Sequence, residues 1–254
     1  YIESAYIPDK ERATLCVSSQ SGCRMGCIFC MTGKQGFQGN LSANEILNQF
    51  RSLPEFSTIT NIVYMGMGEP LDNLTEVLKS LEIMTSEWGY AWSPTRITVS
   101  TVGLLAPVKE FLEKSRCHLA VSLHSPFDEE RRKLMPVQKT NTIAEVLDVI
   151  RNFDFNSQRR VSFEYILFEG INDTPVHIKE LAKILNGIKC RINIIRFHEI
   201  PGSEFKSPGI EETNRFKEAL NAKGILTTVR ASRGVDIQAA CGLLSTLTQN
   251  RLSS

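Results

Sequence analysis

At 254 residues and a net charge of +1, the chain is long enough to bury one substantial core but carries no general attraction for phosphate. No apolar run reaches the length of a membrane-spanning helix, and the opening YIESAYIPDKER has neither the basic start nor the apolar centre of a secretory signal. Seven cysteines, three of them between positions 23 and 30, make a poor disulfide framework and read as a metal site in a reducing, cytoplasmic compartment.

The chain starts at Tyr1 rather than Met, so an upstream segment is expected. Strands are predicted at 15–20, 61–66, 96–101, 118–123, 161–168 and 191–197. Amphipathic helices fall between them at 42–53, 74–86, 108–115, 142–153 and 174–185. Ser42 and Glu45 form a capping box at the first of these helices. A helix at 211–224 and a strand at 226–232 close the pattern as a short C-terminal extension. Strand–helix alternation of this kind implies right-handed βαβ units on a parallel sheet, hence an α/β fold. Six such strands point to a partial (β/α)6 barrel, read as one domain over 1–254. Chemistry in such folds collects at the C-terminal ends of the strands.

The first strand runs straight into GCRMGCIFCMTG, with Cys23, Cys27 and Cys30 spaced Cys-x3-Cys-x2-Cys. Structural zinc wants four protein ligands, so a fourth would have to come from afar, from His124 or Cys241. An iron–sulfur cube held by three thiolates keeps one iron open to a small molecule, which accounts for three. The second strand ends in GMGEP, where Gly68 permits close backbone approach and Glu69 can accept from an ammonium. Ser100 ends the third strand, and Ser122, Leu123 and His124 end the fourth, so these polar groups share one sheet edge. The basic runs Arg131–Lys133 and Arg159–Arg160 read equally as a basic patch or as solvated helix ends and loops. Cys117 and Cys190, in or beside apolar strands, read as buried hydrophobes.

The cysteine spacing, with Phe29 before the last thiol, resembles the signature of the radical S-adenosylmethionine (radical-SAM) superfamily. Together with GMGEP, VSLHS, Cys16 in LCVSSQSGC and Cys241 in RGVDIQAACG, it resembles the radical-SAM enzymes that methylate C2 of adenine in ribosomal RNA. The resemblance runs from Glu3 to about Leu244. It implies a 4Fe–4S cluster on Cys23, Cys27 and Cys30. It also implies SAM, two molecules per turnover, held by Gly68, Glu69, Ser100, Ser122, Leu123 and His124.

Adenine C2 is not nucleophilic, so a radical route is needed. The resemblance implies that Cys241 is methylated first, that a deoxyadenosyl radical then takes a hydrogen from that methyl, and that the carbon adds to C2. Cys16 then forms a disulfide with Cys241 and releases the base, while Glu3 accepts the C2 proton. The family has Asn where this chain has His198, after the sixth strand, as a SAM contact. The resemblance further implies 23S rRNA and tRNA as substrates, flavodoxin or ferredoxin as electron donor, a monomer, and an N-terminal RNA-binding domain not contained in this chain. The alternatives are a sister enzyme acting on C8, or a radical-SAM activase. Pro70 and the RASRG stretch favour the C2 enzyme.

Overall fold

The computed structural model describes residues 1–139, 142–155, 159–230 and 242–244. Seven parallel strands form its centre: β2 (Arg12–Cys16), β5 (Asn61–Tyr64), β6 (Ile97–Thr101), β7 (His118–Ser122), β8 (Val161–Leu167), β9 (Cys190–Arg196) and β10 (Leu226–Val229), in that spatial order. One antiparallel strand, β1 (Ala5–Asp9), extends the β2 edge, with Ala5 opposite Cys16. The sheet is open: among the described residues β1 and β10 are its two edges and do not pair with each other.

Helices α2 (Ala43–Arg51), α3 (Leu74–Thr85), α4 (Leu105–Lys114), α6 (Ile143–Asn152), α7 (Pro175–Ile184) and α8 (Ile210–Ala222) connect successive strands. α2 begins on the Ser42–Glu45 capping box. Alternate strand residues Ile62, Tyr64, Val99, Leu119, Val121, Phe163, Tyr165, Ile192 and Ile194 are wholly buried in one core with the helices. Their neighbours Asn61, Thr98, Ser100, Ser122 and Asn193 are only partly buried. The sheet is thus apolar toward its helices and polar on its concave face, as period-two alternation requires. No described helix is long and apolar enough to cross a membrane.

The expected strand at 15–20 is placed differently. β2 ends at Cys16, and the chain leaves the sheet through Ser18 and Ser19. Gln20–Gly22 (β3) then pairs antiparallel with Phe37–Asn40 (β4) in a separate ribbon. The Gln49 side chain takes over the Ser18 backbone, accepting from its N–H at 2.8 Å and donating to its carbonyl at 2.8 Å. Side-chain partners thus replace the ladder that a longer strand would need. Sequence alone also left out β1, β3, β4, the short α1 (Met31–Gln35) and α5 (Asp128–Leu134).

Two of the basic residues read as solvated are not. Arg131 is 1% exposed and Arg159 9% exposed. Arg131 donates to the carbonyls of Val102 (2.6 Å), Ser122 (2.9 Å) and Leu123 (3.2 Å), joining the ends of β6 and β7. Arg159 donates to the Cys117 and Leu112 carbonyls and lies against Phe111, Phe153 and Phe155.

Candidate active site

The cysteine loop is an excursion of the β3–β4 ribbon over the C-terminal ends of the parallel strands. Its base is closed by the Cys23 N–H on the Gly36 carbonyl at 3.0 Å. Gly22 (φ 73°) must be glycine, because a Cβ would lie 1.8 Å from that carbonyl. Within the loop the Cys30 N–H donates to the Cys27 carbonyl, and the Ile28 N–H donates to Leu134 at the end of α5.

A second apolar cluster lies beneath it, built from Met25, Cys27, Phe29, Met135, Ile166 and Phe168 among others, with Cys23, Cys30 and Met31 packed against it. Phe29 meets His124 edge-on at 5.0 Å and Phe168 at 5.8 Å. The aromatic residue before the third thiol therefore anchors the loop to β7 and β8.

The three thiols are unpaired, and after burial the nearness of Cys30 is among the causes that raise the pKa of Cys23 and Cys27. Burial pushes Cys23 up to about 12 and Cys27 well above the ordinary thiol range. A thiolate set in such dry surroundings is held only by coordinating cations. No three His, Cys, Asp or Glu side chains among the described residues converge tightly enough for a single metal ion. Three thiols on one short loop fit the donor set of a multinuclear cluster that keeps one metal open to a small molecule.

Glu69, at the end of the GMGE stretch, is buried. Its carboxylate accepts from the Leu71 N–H (3.0 Å) and the Val102 N–H (2.9 Å), and also bonds the Thr101 hydroxyl. Burial nevertheless outweighs these bonds and raises its pKa to about 7. The missing side chain at Gly68 (φ 96°) is explained by packing, since a Cβ would lie 2.5 Å from Gln20 Cβ. Gln20 was not anticipated. Its Oε1 accepts from the Glu69 N–H, and its Nε2 donates to Asn40 and Asp72, so it ties the cysteine ribbon to the GMGE turn.

Ser100 and Ser122 are half-buried on the concave face, and Leu123 is wholly buried. His124 is buried with a left-handed backbone, φ 54°. Its Nδ1 accepts from the Ile166 N–H at 3.0 Å, and its carbonyl accepts from Asn172. Burial, then Arg131, lower its pKa to about 3, so the ring is neutral with its proton on Nε2. His198, just beyond β9, is half-buried and lowered by burial and then by Arg196.

Cys16, 6% exposed, ends β2 and faces the concave side, because Leu15 and Val17 on either side of it lie in the outer core. Glu3 lies near the same edge. Its N–H reaches Met67 Sδ at 3.4 Å, and its carbonyl accepts from Ser18 Oγ at 2.6 Å. Cys241 lies outside the described residues. The residues after it are held on the cysteine loop: the Met31 N–H donates to the Gly242 carbonyl (2.9 Å), and Thr32 Oγ1 donates to the Leu244 carbonyl (2.6 Å).

Arg131 and Gln20 both carried faint signals. Phe127, Arg131, Leu134 and Met135 form a helical stripe that is apolar except for the arginine, and Gln20 is a lone amide among serines.

The Radical SAM superfamily pattern matches residues 17–182. A protein of Bacteroides fragilis, described as a probable dual-specificity RNA methyltransferase RlmN, is 57% identical over 98% of this chain and 72% of its own length. The dual-specificity RNA methyltransferase RlmN of Campylobacter jejuni is 45% identical over 96% of this chain and 74% of its own. A crystal structure of a radical SAM methyltransferase from Sphaerobacter thermophilus superposes with a TM-score of 0.90 at 42% identity, covering 96% of this chain and 73% of that one. The chain belongs to the radical SAM superfamily and, within it, to the RlmN family of RNA methyltransferases.

Proposed function

We propose that the protein methylates C2 of an adenosine in 23S rRNA, and of the adenosine 3′ of the anticodon in tRNA, through a methyl group carried on Cys241. The observation that carries this reading is the docking of residues 242 and 244 on the cysteine loop. It supports a position for Cys241 beside the loop that carries Cys23, Cys27 and Cys30. An activase has no use for that arrangement.

Cys23, Cys27 and Cys30 would hold the cluster, whose bound form supplies the electron for reductive cleavage of SAM. Glu69, fixed by three hydrogen bonds, offers a buried carboxylate to the methionine ammonium. The neutral His124 and its Phe29 contact keep the loop seated and water away. His198 can offer one donor or one acceptor where relatives of this type carry an amide. Two SAM molecules per turnover would supply the methyl group for Cys241 and the radical that activates it.

Glu3 accepts the proton that C2 gives up. Cys16, as thiolate, attacks the Cys241 sulfur. The S–S bond forms as the S–C bond breaks, and that electron pair stays with the carbon, which is protonated to a methyl group. One electron would leave the base adduct along with the C2 proton and return to the cluster, and flavodoxin or ferredoxin would supply the electron for SAM cleavage and the two that restore Cys16 and Cys241 to thiols.

Peptide mass spectrometry of cluster-loaded, SAM-treated full-length protein should find a methyl group on Cys241. In the Cys16→Ala variant, RNA should remain covalently attached to Cys241, because the resolving thiol is gone. An unmodified Cys241 that still gives 2-methyladenosine would refute the mechanism.

A further inference from the structure

Toward the N-terminal ends of the strands, the concave face opens into a cavity of about 400 Å³. Five arginines line it, Arg12, Arg96, Arg160, Arg191 and Arg230, against two carboxylates, Asp9 and Glu164. Four of the arginines ring one mouth: Arg12 opens β2, Arg96 and Arg160 immediately precede β6 and β8, and Arg191 is the second residue of β9. Among the described residues, Arg96, Arg160 and Arg191 enter no ion pair.

Unpaired guanidiniums around one cavity repel each other unless an anion joins them. His118, at the same mouth, registers the field: burial first, then Arg160, Arg159 and Arg191, hold it below its ordinary pKa. The chain's near-neutral net charge hides this concentration.

Val63, Met65 and Glu164 also line the cavity. Val63 lies in register with Cys16. Glu164 is buried, and its Oε2 has no hydrogen-bond partner, with Arg230 3.6 Å away. It is an acceptor suited to an exocyclic amine. From Arg12 to Cys16 is four residues of strand, about 13 Å at about 3.3 Å per residue. Arginine side chains reaching in from the mouth leave roughly one nucleotide's length to Cys16.

We propose that this mouth is the port through which an RNA strand delivers its target base, with Arg12, Arg96, Arg160 and Arg191 gripping phosphates beside the extruded nucleotide. The proposal rests on the RNA-methyltransferase reading above and adds to it where the strand is held. Phosphate contacts position a nucleic acid without reading its sequence, which suits an enzyme acting on two different RNAs. Extruding a base is how enzymes reach an atom buried in a stack.

The test is a fluorescence-anisotropy titration of a labelled RNA stem–loop carrying an unpaired adenosine, against cluster-loaded full-length protein across a salt series. The Arg96→Gln/Arg191→Gln variant should bind at least tenfold more weakly. Its log–log salt dependence should flatten by about 1.4, at about 0.7 per single-strand phosphate contact. Arg96→Lys/Arg191→Lys should restore most of the slope, and Lys79→Gln/Lys114→Gln on the outer helices should change neither quantity. Wild-type affinity and slope in the Gln variant, with the wild-type protein methylating the RNA, overturns the port alone. A wild-type protein that does not methylate RNA overturns the underlying reading as well.

Discussion

The Glu69 carboxyl titrates at 4.5 when exposed and at about 7 in the folded protein, because burial outweighs three hydrogen bonds. A group whose folded pKa is raised contributes stability that is full below 4.5 and lost as pH rises through about 7. An ammonium ligand offsets that loss. SAM affinity should therefore strengthen close to tenfold per pH unit from about 5 to 7 and level off above, by isothermal titration calorimetry. Glu69→Gln should bind weakly at every pH, and a pH-independent wild-type affinity would remove Glu69 from the ammonium site. Glu69 was legible because a carboxylate after glycines at a strand end is a local pattern. Its pKa was not, since the burial that raises it exists only in the assembled sheet, where Thr101 and Val102 at the end of β6 supply the bonds that partly oppose it.

Among the elements, α1 is inconspicuous, yet it ties the cysteine loop to the residues that follow Cys241. At five residues it has no stability of its own. It continues the cysteine loop, and Thr32 inside it holds Leu244 through a buried hydroxyl. Thr32→Val keeps the shape and removes that bond, which costs about 1–3 kcal/mol locally. Cluster content should stay at the wild-type level while the methylated fraction of Cys241 falls several-fold, by iron analysis and peptide mass spectrometry on one preparation. Equal methylation in both proteins would make the contact incidental.

The alternating strands and helices were readable from apolar periodicity, and most began within three residues of the predicted places. The β3–β4 ribbon was not readable, because Ser18 leaves the sheet by bonding Gln49, thirty-one residues away. Arg131 was misjudged for the same reason. Its three carbonyl partners exist only once β6 and β7 lie side by side.

On the scale of the whole molecule, the cysteine loop is a lid over a second apolar core, so a cluster bound there would couple metal binding to folding. Removing the cluster under reducing conditions should lower Tm by about 5–10 °C. Linkage of about 2.7 kcal/mol at hundredfold saturation, at about 2–4 °C per kcal/mol for a chain of this size, gives that range. An unchanged Tm would show the loop to be independent of the core. The polar concave face was the part least visible in advance. Each strand showed alternation, but which face turns toward helices is decided by the curl of the sheet.

Among the described residues, the edges β1 and β10 do not pair with each other, and that open seam bears on turnover. A closed barrel admits a substrate only end-on, so a polymer would have to thread a free terminus through it. An interrupted wall lets a single base extruded from a folded RNA reach the concave face and withdraw again, with both ends of the strand still inside their own structure. For a folded RNA, an open seam spares the unthreading that a closed wall would impose at every turnover.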